Sequence, residues 1–113
     1  LTQYVMAADR GNARVAGLVN PLQPAVLRLV RDAAAAAHAA GIWIGMCGEL
    51  AGNALATPVL LGLGLDELSM SAPSIPAVKD AVRGLSLAEA RRIAAEALAL
   101  DSAEAVARFL QRE

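Results

Sequence analysis

Cysteine and histidine are nearly missing from this chain: Cys47 and His38 are its only examples in 113 residues. One cysteine excludes an intrachain disulfide and any multi-cysteine metal site, and it fits a reducing cytosol. An excess of positive charge is also missing. The net charge of −1 leaves no electrostatic footprint for nucleic acid or an anionic membrane. No long hydrophobic run is present either. The least charged stretch, Leu50 to Leu65, is shorter than a membrane span and is interrupted by Gly52, Asn53, Pro58, Gly62 and Gly64. Leu1 opens a mixed polar segment without a basic leader, so no signal peptide is expected. There is no internal repeat, no low-complexity linker, no glycine-rich phosphate loop with lysine and no defensible Ser–His–Asp set. The expectation is a cytoplasmic chain that binds neither nucleic acid nor membrane.

What remains is apolar and helix-favouring. Hydrophobic residues make up 57% of the chain and aromatics only 3%, so alanine and leucine must supply the core. The length allows one domain with a real core. Thr2 to Ala8 reads as a short helix capped by Thr2, followed by the polar turn Asp9-Arg10-Gly11-Asn12. Pro21 and Pro24 frame the entry to a helix over Ala25 to Ala40. Val26, Leu27, Val30, Ala34 and Ala37 form its inner stripe, Arg28 and Asp32 its surface pair, and Gly41 its stop. Ile42 to Met46 predicts a fully buried parallel strand. A helix over Ala54 to Leu63 follows, capped by Asn53 or by Thr57, and Gly62-Leu63-Gly64 reads as its stop. Glu67 to Ser71 alternates as a second strand, and Ser74 caps a helix over Ile75 to Arg83. Two capping boxes, at Ser86 and around Asp101-Ser102, open helices to about Ala99 and through Phe109.

This order is the rhythm of parallel α/β architecture. Two strands are too few for a complete sheet, so the chain reads as a slice of a larger sheet or barrel. Functional groups in such folds gather at the carboxyl ends of strands. Cys47 stands there, within Gly45-Met46-Cys47-Gly48-Glu49, with Ser69 and Ser71 near the end of the second strand. A buried, inert cysteine is the competing reading. Arg10 is a candidate anion ligand, because its planar fork suits phosphate or carboxylate; a solvated loop charge is the alternative. His38 reads as a surface residue near helix-end carbonyls. Glu49, Asp66 and Glu67 are acidic, but their spacing is not that of a recognised Mg²⁺ site.

Five ordered segments carry a family resemblance: Leu1-Thr2-Gln3-Tyr4; Ala8-Asp9-Arg10-Gly11-Asn12; Pro21-Leu22-Gln23-Pro24-Ala25-Val26-Leu27; Gly45 to Gly52; and Leu61 to Ser71. Together they resemble the C-terminal end of enzyme I of the bacterial sugar phosphotransferase system, in its standalone form or as the module of a fused multiphosphoryl transfer protein. The likeness loosens after about Arg83. It implies the last strands and helices of a (β/α)₈ TIM barrel over residues 1–84, with a C-terminal helical extension over 85–113. It also implies that Cys47 protonates the enolate formed when phosphoenolpyruvate loses its phosphoryl group, and that Arg10 binds the substrate phosphate. In the family the phosphoryl group passes to an enzyme histidine and then to the carrier HPr for sugar uptake. The family needs Mg²⁺, whose ligands are expected upstream of Leu1, with none in this chain.

Asn53 stands where the family often has Asp, a position expected to be a helix cap in either case. The resemblance further implies that the 113 residues alone do not turn over. Pyruvate phosphate dikinase and phosphoenolpyruvate synthase share the barrel and a similar cysteine, so a fragment of either is the second reading. A non-catalytic α/β binding module is the third. Unpaired strand edges predict self-association, and hence a homo-oligomer.

Overall fold

The computed structural model describes residues 1–113. Six α-helices and one small sheet make up the fold: α1 (Thr2–Met6), α2 (Pro24–Ala39), β1 (Gly45–Cys47), α3 (Thr57–Gly62), β2 (Glu67–Ser69), α4 (Ile75–Arg83), α5 (Leu87–Ala99) and α6 (Ala103–Leu110). The α/β expectation holds in this form, mostly helical with a two-stranded parallel sheet. β1 and β2 pair in the register Gly45 with Glu67, Met46 with Leu68, and Cys47 with Ser69. Because side chains alternate, Met46 and Leu68 share one face and pack on the core. Cys47 and Ser69 share the other face and are exposed.

Local chemistry explains where most helices begin and end. Pro24 starts α2, where its missing N–H costs nothing. At its end, Gly41 N–H donates to His38 C=O at 3.0 Å and Ile42 N–H to Ala37 C=O at 3.1 Å. This is a Schellman closure, with Gly41 at φ 72°. Ser86 Oγ accepts from Glu89 N–H at 3.2 Å, as its capping box predicts, whereas α6 is capped one residue later than the Asp101–Glu104 box implies, Ser102 Oγ accepting from Ala105 N–H at 3.2 Å.

Several boundaries differ from expectation. Leu1, not Thr2, occupies the cap of α1, and the helix stops at Met6 because Ala7 turns left-handed at φ 48°. α3 begins at Thr57 instead of Ala54. The Asn53 side chain is spent on a local turn, accepting from Leu55 N–H at 3.0 Å. Ser74 makes no cap bond to α4; its hydroxyl meets Ser71 Oγ at 3.3 Å. Arg28 and Asp32 do not pair. Arg28 donates to Leu98 C=O at 3.0 Å, while Arg31 takes Asp32 at 2.8 Å.

The largest correction concerns Ile42 to Met46. Ile42 and Trp43 are 61% and 67% exposed, and the paired strand is only Gly45–Cys47. Apolar, β-favouring residues earn burial only where an element covers them. Here the first two residues serve as the connection out of α2.

The core is one cluster that joins α2, α3, α5 and α6 through Leu27, Val30, Val59, Leu60, Ile93, Val106 and Phe109. The tail helices therefore share the core of the α/β part. α3 and α5 cross so closely that a Cβ on Gly62 would lie 2.0 Å from the Ala90 carbonyl oxygen. Only glycine fits that crossing.

Candidate functional site

Cys47 ends β1 and is exposed and unpaired. Gly48 follows at φ 133°, a conformation open to glycine and strained for other residues. The chain can thus leave the strand sharply and enter the 3₁₀ turn Glu49–Gly52 without covering the thiol. On β2 the corresponding exit runs through Met70 and Ser71 into the 3₁₀ turn Ala72–Ser74. The two turns approach closely: a Cβ on Gly52 would stand 3.3 Å from both Met70 Cβ and Ser74 Cβ.

Between these exits lies an open hollow of about 520 Å³, lined by Cys47, Gly48, Glu49, Gly52, Ser69, Met70, Ser71 and Ser74. The predicted strand-end residues Cys47, Glu49, Ser69 and Ser71 meet there. Gly52, Met70 and Ser74 complete the lining, and no sequence signal marks them, because their positions follow from how the two turns fold back. Glu49 is the only charged group in the lining, and no cation is present. Reactive thiolates usually rest against a cation or a helix N-terminus. The other residues of this chain in the lining are Met70, glycines and serines.

Arg10 is not among the lining residues. It sits in the exposed turn after α1, where its backbone N–H donates to Gln3 Oε1 at 2.8 Å. Asp9 shapes the same turn, its carboxylate accepting from Gly11 N–H at 2.8 Å.

His38 does not contact helix-end carbonyls. Its Nε2 lies 2.8 Å from Asp66 Oδ2, and the same oxygen accepts from Ile44 N–H at 2.9 Å. The hydrogen bond to His38, then that from Ile44, holds the Asp66 carboxyl below its usual 3.8. This knot ties the end of α2 to the amino ends of both strands, away from Cys47. Twenty-eight residues separate its partners, so no local pattern announces it.

These positions bear directly on metal binding. Asp66 is committed to the knot, Glu67 lies at the amino end of β2, and Glu49 lies beyond the carboxyl end of β1. No three His, Cys, Asp or Glu residues form a group able to hold a metal ion. The residues of this chain do not fit a Mg²⁺ site of their own. No helix is long and apolar enough to cross a membrane.

The Cys47 thiol stands at the carboxyl end of a parallel strand pair, the end at which α/β folds generally gather functional groups. The particular group follows from sequence comparison: the chain belongs to the family described as PEP-utilising enzyme, PEP-binding domain, whose model matches residues 1–87. It is 52% identical over 112 residues to the phosphoenolpyruvate-protein phosphotransferase of Geobacillus stearothermophilus, covering 99% of this chain and 19% of that protein. It is 46% identical over 111 residues to the protein of the same name in Haemophilus influenzae, covering 98% and 19%. It is 47% identical over 110 residues to multiphosphoryl transfer protein 1 of Escherichia coli (strain K12), covering 97% and 13%. The expected resemblance is borne out. The chain spans 13–19% of the length of these relatives.

Proposed function

We propose that this chain is the strand-end portion of a phosphoenolpyruvate–protein phosphotransferase and supplies the proton that converts enolate to pyruvate. The observation that carries the reading is the exposed Cys47 thiol at the carboxyl end of β1, inside a hollow without cations. When the phosphate ester of phosphoenolpyruvate breaks, the phosphoryl group leaves for its acceptor and an enolate remains. The Cys47 S–H bond then breaks, its hydrogen bonds to C3, and the electron pair stays on sulfur. Protonation at carbon traps the ketone and draws the transfer forward.

Arg10 is assigned to the substrate phosphate, where a bidentate guanidinium offsets charge on the transferring group. Because Arg10 is not in the hollow's lining, phosphate and C3 would contact different parts of the rim. In this reading residues 1–84 are the last part of a (β/α)₈ barrel, and 85–113 a helical extension packed on it. The unpaired outer edges of β1 and β2 would then face further strands. The acceptor histidine, Mg²⁺ and the site for the phosphocarrier HPr belong to the remainder of a protein of the relatives' length. Cytoplasmic sugar phosphorylation is the setting this implies.

Relatives named phosphoenolpyruvate-protein phosphotransferase and multiphosphoryl transfer protein favour this reading over the dikinase and synthase alternatives. The test is a chimera in which the chain replaces the matching residues of the Geobacillus relative. With Mg²⁺ the chimera should form pyruvate from phosphoenolpyruvate, and the 113-residue chain alone should not. Pyruvate released by the isolated chain at an enzyme-like rate would overturn the assignment of the remaining machinery elsewhere. A fully active Cys47→Ala chimera would overturn the role of the thiol.

A further inference from the structure

Proton transfer from Cys47 leaves a negative sulfur, and the residues of this chain that line the hollow include no cation. The side-chain donors that this chain itself supplies there are neutral. Three serines line the hollow, but Ser71 and Ser74 face each other at 3.3 Å and are occupied together. Ser69 makes no side-chain hydrogen bond to the protein. It is also the register partner of Cys47 on the adjacent strand. Parallel neighbours lie about 4.8 Å apart and direct paired side chains to the same face. Rotation about the Cα–Cβ bond can therefore carry the Ser69 hydroxyl toward sulfur.

Resting on the proton-donor role of Cys47, we infer that Ser69 is a positioning residue whose hydroxyl donates a hydrogen bond to the Cys47 sulfur as its proton leaves. Sulfur in a thiol is a weak acceptor, so the contact contributes little before reaction and leaves S–H free to point at C3. Sulfur in a thiolate is a charged acceptor, and the same contact becomes charge-assisted. An interaction that strengthens only as charge develops lowers the barrier without tightening substrate binding. The serine proton remains on Ser69 throughout.

The test reads the thiol directly, by the pH dependence of Cys47 alkylation in the 113-residue chain, with circular dichroism confirming that each variant folds. Ser69→Ala should move the alkylation midpoint upward by about one pH unit, as expected for loss of a hydrogen bond to a charged group. Ser69→Thr, which keeps the hydroxyl, should restore most of the original midpoint. Ser71→Ala should leave the midpoint in place. In the chimera, Ser69→Ala should lower kcat for pyruvate formation about tenfold with KM little changed. An unchanged midpoint in folded Ser69→Ala would overturn the inference, as would equal defects in the Ala and Thr variants. A shifted midpoint together with a fully active Cys47→Ala chimera would sustain the Cys47–Ser69 pairing while removing the proton-donor role.

Discussion

The two faces of the small sheet have opposite properties. Met46 and Leu68 lean on a core in which α3 and α5 approach to backbone contact. Cys47 and Ser69, one position along each strand, are exposed and make no side-chain hydrogen bond. Apolar area removed from water stabilises the first face at roughly 25 cal/mol per Å². The second contributes almost nothing to stability and leaves its polar groups available to a ligand. A parallel strand pair thus separates holding the fold from presenting chemistry by one step in sequence. A substitution on one face should move stability, and one on the other should move chemistry.

The sharpest way to break this contrast is Cys47→Ala in the chimera. Pyruvate formation should fall about a hundredfold or more, the usual contribution of a positioned general acid. The thermal midpoint should hardly change, and substrate binding, followed by titration, should persist. Gly62→Ala tests the helical core on which the opposite face rests. The new methyl meets the Ala90 carbonyl, so α3 and α5 must separate, at a cost of about 3 kcal/mol by denaturant unfolding. Alkylation of Cys47 in whatever fraction remains folded should be unaffected.

Arg10→Ala should raise KM for phosphoenolpyruvate about tenfold in the chimera, with Arg10→Lys between it and the parent, because lysine keeps charge but not the fork. A normal KM would leave Arg10 as the solvated loop charge that its position also allows.

The smallest effect belongs to the knot at the amino ends of the strands. Asp66 titrates below its usual 3.8 in the folded chain, so its contribution is fully present above that value. It is lost as pH falls through the lower folded value. Both partners are well exposed, so the contribution is small. Asp66→Asn should flatten this part of the acid limb when thermal midpoints are followed from about pH 5 to about pH 3. An unchanged acid limb would show that the knot carries no stability.

How far the sequence could be read depended on the range of the interaction. The Schellman stop at Gly41 and the serine cap at Ser86 were legible, and the start of α6 to within one residue, since each is a bond between residues a few positions apart. The strand-end position of Cys47 was legible too, from glycines flanking a short apolar run. The burial of Ile42 and Trp43 was misjudged because composition states what a segment could bury, not what lies beside it. Arg28 was misjudged for a related reason. Spacing within α2 offered Asp32, but α5 brings the Leu98 carbonyl to the same guanidinium.

The amino-acid sequence by itself determined the presence of the helices, the Gly41 stop and the Ser86 cap, the parallel α/β order, the lone strand-end thiol and the family. These follow from local propensity and from a string of motifs. Only the tertiary structure decided that Cys47 lies opposite Ser69, that Ser71 is engaged with Ser74, that His38 joins Asp66, and that Arg10 lies outside the hollow. Register and helix crossings arise from packing between segments distant in the chain. Periodicity within a segment carries no record of which distant segment it will meet.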